Sequence, residues 1–208
     1  MIRILLFAFL TFVAGPLDAR AAEFSDEQKT DLARISTYLN SIESAQGRFV
    51  QIGPNGALDE GTFYLRKPGR VRFEYDDPNP NVVVSDGITI AVENARLHTT
   101  DRYPLVGSPL TLLLSVDIDL ASDERVVSMS REPGALSFTA RQDQGPAQGE
   151  ITLVFADSGS SLELRQWEVI DAQGLRTLVA LTTLNEGVEI PARLFIIQDL
   201  DPFSRRNN

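Results

Sequence analysis

The sequence predicts a mainly β protein in which one antiparallel sheet curls around a core that helices cover. From Ala45 onward, apolar and polar residues alternate with a period of two, which is typical of strands with one buried face. The connections between these segments are short and rich in glycine, proline, asparagine and aspartate, so neighbouring strands are antiparallel. The segments number about eleven or twelve, and a single sheet of that many strands curls into an incomplete barrel.

The first element is a helix that starts at a capping box. Ser25 and Gln28 have the spacing at which the two side chains cap each other's backbone N–H groups. Apolar residues then recur at spacings of three and four, and the helix runs to about Asn40 or Ser41: Leu32, Ile35, Leu39 and Ile42. This stripe indicates a helix packed on the core or a lid over a cavity, and the two interpretations are compatible.

The strands follow in order and are interrupted once. Asp86-Gly87 predicts a two-residue hairpin turn between two of them. A short apolar helix over 110–115 interrupts the series, with Ser108 as its cap and Pro109 at its first helical position. The predicted strands cover residues 45–52, 61–66, 70–75, 81–85, 89–93, 96–100, 126–131, 136–141, 150–156, 162–170, 176–184 and 192–198.

The two ends of the chain define the domain organisation. Arg3, the apolar run 4–14 and Ala19-Arg20-Ala21 have the layout of a secretory signal peptide over residues 1–21, cleaved after Ala21 or Ala22. An uncleaved membrane anchor is the alternative, but the apolar run is shorter than the roughly 20 residues that a spanning helix needs. Residues 22–203 are predicted to form a single domain and 204–208 a disordered tail.

The composition excludes several classes of function. The net charge of −10 disfavours a nucleic acid or an anionic membrane as partner. The chain has no cysteine and one histidine, His98, so thiolate nucleophiles and sites with several His or Cys ligands are excluded. It also lacks a Gly-x-Ser-x-Gly motif and a phosphate-binding glycine loop. We therefore predict a protein without enzymatic activity, cofactor or metal, and a hydrolase using paired carboxylates remains the remote alternative.

An aromatic strand pair carries the strongest functional signal. The segment FYLRKPGRVRFEY places Phe63, Leu65, Val71, Phe73 and Tyr75 on one face of two strands joined at a Lys-Pro-Gly corner. This face is richer in aromatic side chains than a surface sheet requires. An apolar concavity built from antiparallel strands is typical of a container.

The order of four motifs resembles the LolA family of periplasmic outer-membrane lipoprotein carriers. The motifs are SAQGRFVQ, GTFYLRKPGRVRFEYDDP, VVVSDG and the Ser-Pro-apolar helix, from about Ser44 to Leu114. The resemblance implies an unclosed antiparallel β-barrel of about 11 strands with a helical lid over an apolar cavity. It also implies a monomeric periplasmic carrier that takes acylated lipoproteins from an inner-membrane ABC transporter to an outer-membrane acceptor, either a protein or the bilayer.

The resemblance and the alternation together predict the site. The basic residue before the proline is functionally sensitive in the family, so Lys67, with Arg66 before it, is expected to latch the lid formed by the helices over 26–41 and 110–115. The cavity is expected to be lined by Phe49, Phe63, Leu65, Val71, Phe73, Val83, Leu110, Leu113, Leu114, Phe138 and Phe155. A carrier of free lipid or glycolipid, and a lipid-sensing interaction domain, are the alternative functions.

Overall fold

One antiparallel sheet of 11 strands makes up most of this computed structural model, which describes residues 24–108, 110–143 and 148–200. The strands follow the order β6-β5-β4-β3-β2-β1-β11-β10-β9-β8-β7. Because β6 and β7 lie at opposite edges, the barrel is unclosed, as predicted. The strands are β1 Ser44–Ile52, β2 Leu58–Arg66, β3 Arg70–Tyr75, β4 Asn81–Asp86, β5 Thr89–Asn94, β6 Thr99–Pro104, β7 Val126–Glu132, β8 Ala135–Gln142, β9 Gly149–Asp157, β10 Leu162–Asp171 and β11 Arg176–Glu186.

Some of the predictions fall on segments that the structure does not describe. The signal peptide, Pro109 at the start of the second helix, the middle of the 142–149 connection and the tail lie outside the described residues. The division of the chain into residues 1–21, 22–203 and 204–208 therefore remains a prediction. No helix among the described residues is long and apolar enough to cross a membrane.

Two glycines on β1 and β2 allow backbone and aromatic rings to approach closely where the sheet is most aromatic. Gly47 lies opposite Phe63 and Gly61 lies opposite Phe49, so each glycine is covered by a ring from the neighbouring strand. A Cβ atom on Gly47 would lie 2.8 Å from the ring of Phe63, and one on Gly61 would lie 2.7 Å from the ring of Phe49. Each strand thus contains a Gly-x-Phe sequence, and the phenylalanine of one strand fills the space above the glycine of the other.

The first helix, α1 (Asp26–Ser41), has the predicted capping box and lies against the inner face of the sheet. Ser25 Oγ accepts a hydrogen bond from Gln28 N at 3.2 Å, and Gln28 Oε1 accepts one from Ser25 N at 3.0 Å. Leu32, Ile35 and Leu39 are completely buried. The apolar stripe therefore packs on the core, which confirms the helix and its buried face.

The second helix, α2 (Thr111–Leu114), is one turn long and does not start as predicted. Leu110 occupies the N-cap position and no side chain caps the helix. Ser108 Oγ is instead buried without a hydrogen-bond partner in the described part of the chain. The predicted Ser108 cap is therefore wrong, because the helix begins two residues too late for the Ser108 side chain to reach its first N–H groups.

Strand β6 begins at Thr99, three residues after the predicted start of that strand. Asn94 Oδ1 accepts hydrogen bonds from Arg96 N at 3.1 Å and Leu97 N at 2.9 Å, which fixes a turn there. His98 completes this turn with φ of 54°. The apolar-polar alternation of 96–98 was misleading because an asparagine side chain competes locally with strand pairing.

The segment predicted as a last strand over 192–198 is a 3-10 helix, Ala192–Phe195, followed by irregular chain. It crosses the outer face of the sheet and does not pair with a strand edge. Arg72 Nη1 donates to Leu194 O at 3.3 Å, and Glu93 Oε1 accepts from Gln198 N at 2.5 Å. Phe195 is buried there, as are Val84 and Ala91, which point away from the main core.

Candidate functional site

A small apolar cavity lies between the aromatic strands, the far wall of the barrel and α2. Its volume is about 20 Å³, which is room for at most about one water molecule. Its one charged lining group is Lys67. The lining comprises Ile42, Ala45, Phe63, Leu65, Lys67, Val71, Phe73, Leu113, Leu164, Trp167, Leu181 and Leu184.

The structure places five of the eleven predicted cavity residues on this lining: Phe63, Leu65, Val71, Phe73 and Leu113. Phe49, Leu114, Phe138 and Phe155 are buried in the same apolar core but do not line the cavity. Val83 and Leu110 are partly buried and pack against that core. Phe138 and Phe155 stack on each other, with ring centroids 6.2 Å apart, and the ring of Phe155 also contacts Tyr38 of α1.

Six lining residues were not predicted from the sequence: Ile42, Ala45, Leu164, Trp167, Leu181 and Leu184. The register of β10 against β9 shifts between Leu164 and Gln166, and that of β1 against β11 shifts between Arg48 and Phe49. A bulge adds one residue to a strand, so side chains an odd number of positions apart can share a face. Leu164 and Trp167, three residues apart, therefore both reach the cavity.

Helices α1 and α2, together with residues 115–120, form a continuous helical cover over this side of the core. Asn40 Nδ2 donates to Ile118 O at 2.9 Å, and Asn40 Oδ1 accepts from Ile118 N at 2.8 Å. Ser36 Oγ accepts from Leu120 N at 3.0 Å. These three bonds tie the end of α1 to the chain that leaves α2, so the two helices are linked to each other.

The Lys-Pro-Gly corner between β2 and β3 holds both helices of the cover. Lys67 Nζ donates to Leu39 O, at the end of α1, at 2.7 Å. Gly69 N donates to Leu114 O, at the end of α2, at 2.9 Å. Burial lowers the pKa of the Lys67 amine from 10.5 to about 8, because the ammonium loses solvation that one carbonyl does not fully replace.

Arg66 lies on the other side of the sheet from the helical cover. Its Nη1 atom is 3.4 Å from Ile190 O, on the C-terminal segment that crosses the outer face. The structure thus brings Lys67, but not Arg66, into contact with the cover. A latch shared between the two side chains, as the sequence analysis expected, does not match this geometry.

The first half of α1 is anchored by charges and not by the corner. Asp31 is 1% exposed and its carboxylate accepts from Arg131 on β7 at 2.5 Å. Arg34 bridges Asp31 at 3.3 Å and Asp157 on β9 at 2.9 Å. The guanidinium of Arg34 lowers the pKa of the Asp157 carboxyl through their hydrogen bonds. The end of α1, in contrast, is joined to the corner and to residues 115–120 by hydrogen bonds that involve no carboxylate.

An unclosed antiparallel barrel with a small apolar cavity beneath a helical cover defines a class of lidded half-barrels with apolar interiors. The family model described as "Outer membrane lipoprotein carrier protein LolA" matches residues 40–198. The chain belongs to this LolA family, which confirms the resemblance found in the sequence. Membership makes a lipoprotein-carrier role the general function supported for the chain.

Proteins from several organisms are similar to this chain. An outer-membrane lipoprotein carrier protein of Alkalilimnicola ehrlichii is 29% identical over 92% of this chain and 90% of that protein. One of Methylococcus capsulatus is 25% identical over 82% of this chain and 85% of that protein. A solved LolA superfamily protein from Nitrosomonas europaea has a TM-score of 0.43 and 9% identity, covering 82% of this chain and 98% of that one.

Proposed function

We propose that the protein is a periplasmic carrier that binds the acyl chains of lipoproteins in its apolar cavity. It shuttles them from a releasing ABC transporter in the inner membrane to an acceptor in the outer membrane. The observation that carries this proposal is the apolar cavity beneath a helical cover in a member of the LolA family. The role needs no catalytic group, cofactor or metal.

The physical need for such a cavity follows from the cost of exposing an acyl chain to water. A chain of about sixteen carbons costs on the order of 12 kcal/mol at about 0.8 kcal/mol per CH₂ group. Lipoproteins carry more than one chain, so crossing an aqueous compartment without a carrier would be extremely slow. Apolar walls such as those of Phe63, Phe73 and Trp167 remove this cost.

In this proposal, the arrangement with a small cavity is the closed form of the carrier. A cavity of about 20 Å³ cannot hold an acyl chain, so loading requires the helical cover to move aside. Closure keeps the apolar walls away from water when no cargo is present. The cover thus acts as a lid, and the leucines of α2 occupy the space that cargo takes when the lid opens.

The proposal is tested by mass spectrometry of the protein purified from the cell envelope under native conditions. We expect a co-purifying diacylated or triacylated lipoprotein. Leu113→Asp places a charge on the lining and abolishes this cargo. Leu184→Asp, at a half-buried lining position, is a second variant in which the fold is disturbed less.

Leu58→Asp is the matched control, because Leu58 is an exposed leucine at the far end of β2. It should retain cargo, and circular dichroism should show that all three variants are folded. Recovery of phospholipid or glycolipid alone would favour the lipid-carrier alternative. A folded wild-type protein that holds no acylated species and takes none from inner-membrane vesicles would contradict the proposal.

A further inference from the structure

A second, open cavity lies on the outer side of the wall that encloses the apolar cavity. This outer groove has a volume of about 430 Å³. Leu113 of α2 and Lys67 line the inner cavity, whereas the adjacent residues Leu114 and Pro68 line the groove. The wall between the two spaces is thus α2 and the Lys-Pro-Gly corner. The groove is lined by Pro68, Gly69, Arg70, Asp86, Gly87, Ile88, Leu105, Leu114, Ser115 and Val116.

The rim of the outer groove exposes large apolar side chains in fixed positions. Ile88 is 76% exposed and Val116 is 53% exposed. Asp86 Oδ1 accepts from Ile88 N and Thr89 N, both at 2.8 Å, so the turn that presents Ile88 is ordered by its own hydrogen bonds. An apolar rim beside the wall of an apolar cavity suits a ligand with a long hydrocarbon part.

The wall at α2 is easier to displace than the wall at α1. The helix has one turn, no side-chain cap and no charged residue, and Gly69 N–Leu114 O is the hydrogen bond that joins it to the corner. Its buried side chains are leucines, whose contacts an acyl chain can replace with similar apolar contacts. Moving the start of α1 would instead break the buried Asp31 ion pairs, which costs more.

Arg70 supplies hydrogen-bond donors at the groove. No carboxylate in the described ranges lies within ion-pair distance of its guanidinium, whereas nine other arginines there have such partners. Its one contact is long, at 3.5 Å from Nη2 to Lys67 O. A guanidinium with free N–H groups beside an apolar rim suits carbonyl oxygens at the polar end of an acyl chain.

We propose that the outer groove is the portal through which an acyl chain reaches the inner cavity, with α2 as the door and Arg70 as the contact for the chain's ester or amide carbonyls. This inference rests on the proposed function and deepens it by naming a route and a polar contact. The chain passes between Ile88 and Val116, displaces Leu114 and then Leu113, and leaves the start of α1 in place.

The absence of native cysteine makes a labelling experiment specific. Ile88→Cys and Leu58→Cys each create one reactive thiol at an exposed apolar position, and they receive the same large polyethylene glycol maleimide. Leu58 lies about 26 Å along β2 from Arg66, which makes it the matched control. Stopped-flow uptake of a fluorescent dipalmitoyl lipopeptide should slow about tenfold or more with the label at Ile88 and stay unchanged with the label at Leu58.

The outcomes separate the portal from the carrier function. Equal uptake by the two labelled proteins would overturn the portal and leave the carrier function standing. Failure of the unlabelled wild-type protein to bind the lipopeptide would overturn both. Slow uptake in both labelled proteins, with fast uptake before labelling, would also overturn the portal, because the block would then be independent of position.

Arg70→Gln tests the polar contact independently of the route. We expect the affinity for the lipopeptide to fall about fivefold to tenfold, since hydrogen bonds to a charged group are lost. The affinity for a fluorescent alkane without carbonyl groups should not change. Arg66→Gln, which removes the guanidinium opposite Arg70 on the neighbouring strand but outside the groove lining, should change neither. An equal loss for both probes would show that Arg70 acts only on the fold.

Discussion

Lys67 is the charged side chain that both lines the inner cavity and contacts the helical cover. It lines the inner cavity, lies in the wall shared with the outer groove, and donates to the last turn of α1. The charged groups around it are Arg66 and Arg70 on the corner, and Glu43 and Glu189, which share a neighbouring surface pocket with it. None of the carboxylates in the described segments forms an ion pair with Lys67, so burial dominates the pKa of its amine.

We expect the free energy of unfolding to rise between about pH 8 and pH 10. In this range Lys67 of the folded protein loses its proton, whereas the unfolded chain keeps it up to 10.5, so the unfolded state binds more protons. The rise should be on the order of 1–2 kcal/mol, because solvent screens the partly exposed amine. Urea unfolding followed by the fluorescence of Trp167 measures it.

Lys67→Met should remove this rise, and Lys29→Met, which changes an exposed lysine on α1, should preserve it. Tyrosines do not obscure the effect, since burial raises the pKa of Tyr75 to about 12 and also raises that of Tyr38. Their titration lowers stability only above about pH 10. A rise of equal size in Lys67→Met would show that another group is responsible.

The C-terminal segment packs on the sheet without forming one of its strands. It crosses the outer face of the sheet, where Phe195 is buried and Ile196 is exposed. The 3-10 helix contacts β3 and β4, and hydrogen bonds continue the path as far as Thr100 on β6. The segment therefore braces the half of the sheet that carries the aromatic strands.

Phe195→Ala should lower the free energy of unfolding by about 3–5 kcal/mol, because the ring is 3% exposed. The adjacent residue provides the control: Ile196 is 63% exposed, and Ile196→Ala should change stability by no more than about 0.5 kcal/mol. Thermal and urea unfolding measure both variants. Similar effects of the two substitutions would mean that the segment does not brace the sheet.

Under the proposed function, the molecule as a whole divides into a part that stays fixed and a part that moves on loading. The start of α1 is held by the buried Asp31 and by the bond from Gln28 Nε2 to Met129 O at 3.3 Å. The end of α1, residues 115–120 and α2 are joined to one another and to the corner by hydrogen bonds. Loading should therefore move these linked parts together while β8 and β9 remain unchanged.

Hydrogen exchange with and without a dipalmitoyl lipopeptide checks this division. The amides of Gly69, Ile118 and Leu120, which are bonded within the closed cover, should lose protection on loading. Amides of β8 and β9 should keep theirs. Leu184→Asp should show no change when the lipopeptide is added. A uniform loss of protection across the sheet would instead indicate global loosening and would contradict a hinged cover.

Much of the architecture could be predicted because it depends on local patterns. The capping box at Ser25 and the alternation through Phe63 and Leu65 act within a few residues. The hairpin turn predicted at Asp86-Gly87 is also present, but one residue later, at Gly87-Ile88, because Asp86 ends β4. The failures have local causes as well. Asn94 fixed a turn where alternation suggested a strand, and Ser108 lay too far from the start of α2 to cap it.

The sequence by itself determined the antiparallel half-barrel, the helical cover and the aromatic wall, because strand and helix periods decide which side chains share a face. The tertiary structure alone decided which parts of the buried core line the cavity. Two bulges changed the register at Leu164 and Phe49, and the fold carried the C-terminal segment to the outer face. It also separated Lys67 from its neighbour Arg66, because consecutive residues at the end of a strand point to opposite faces of the sheet.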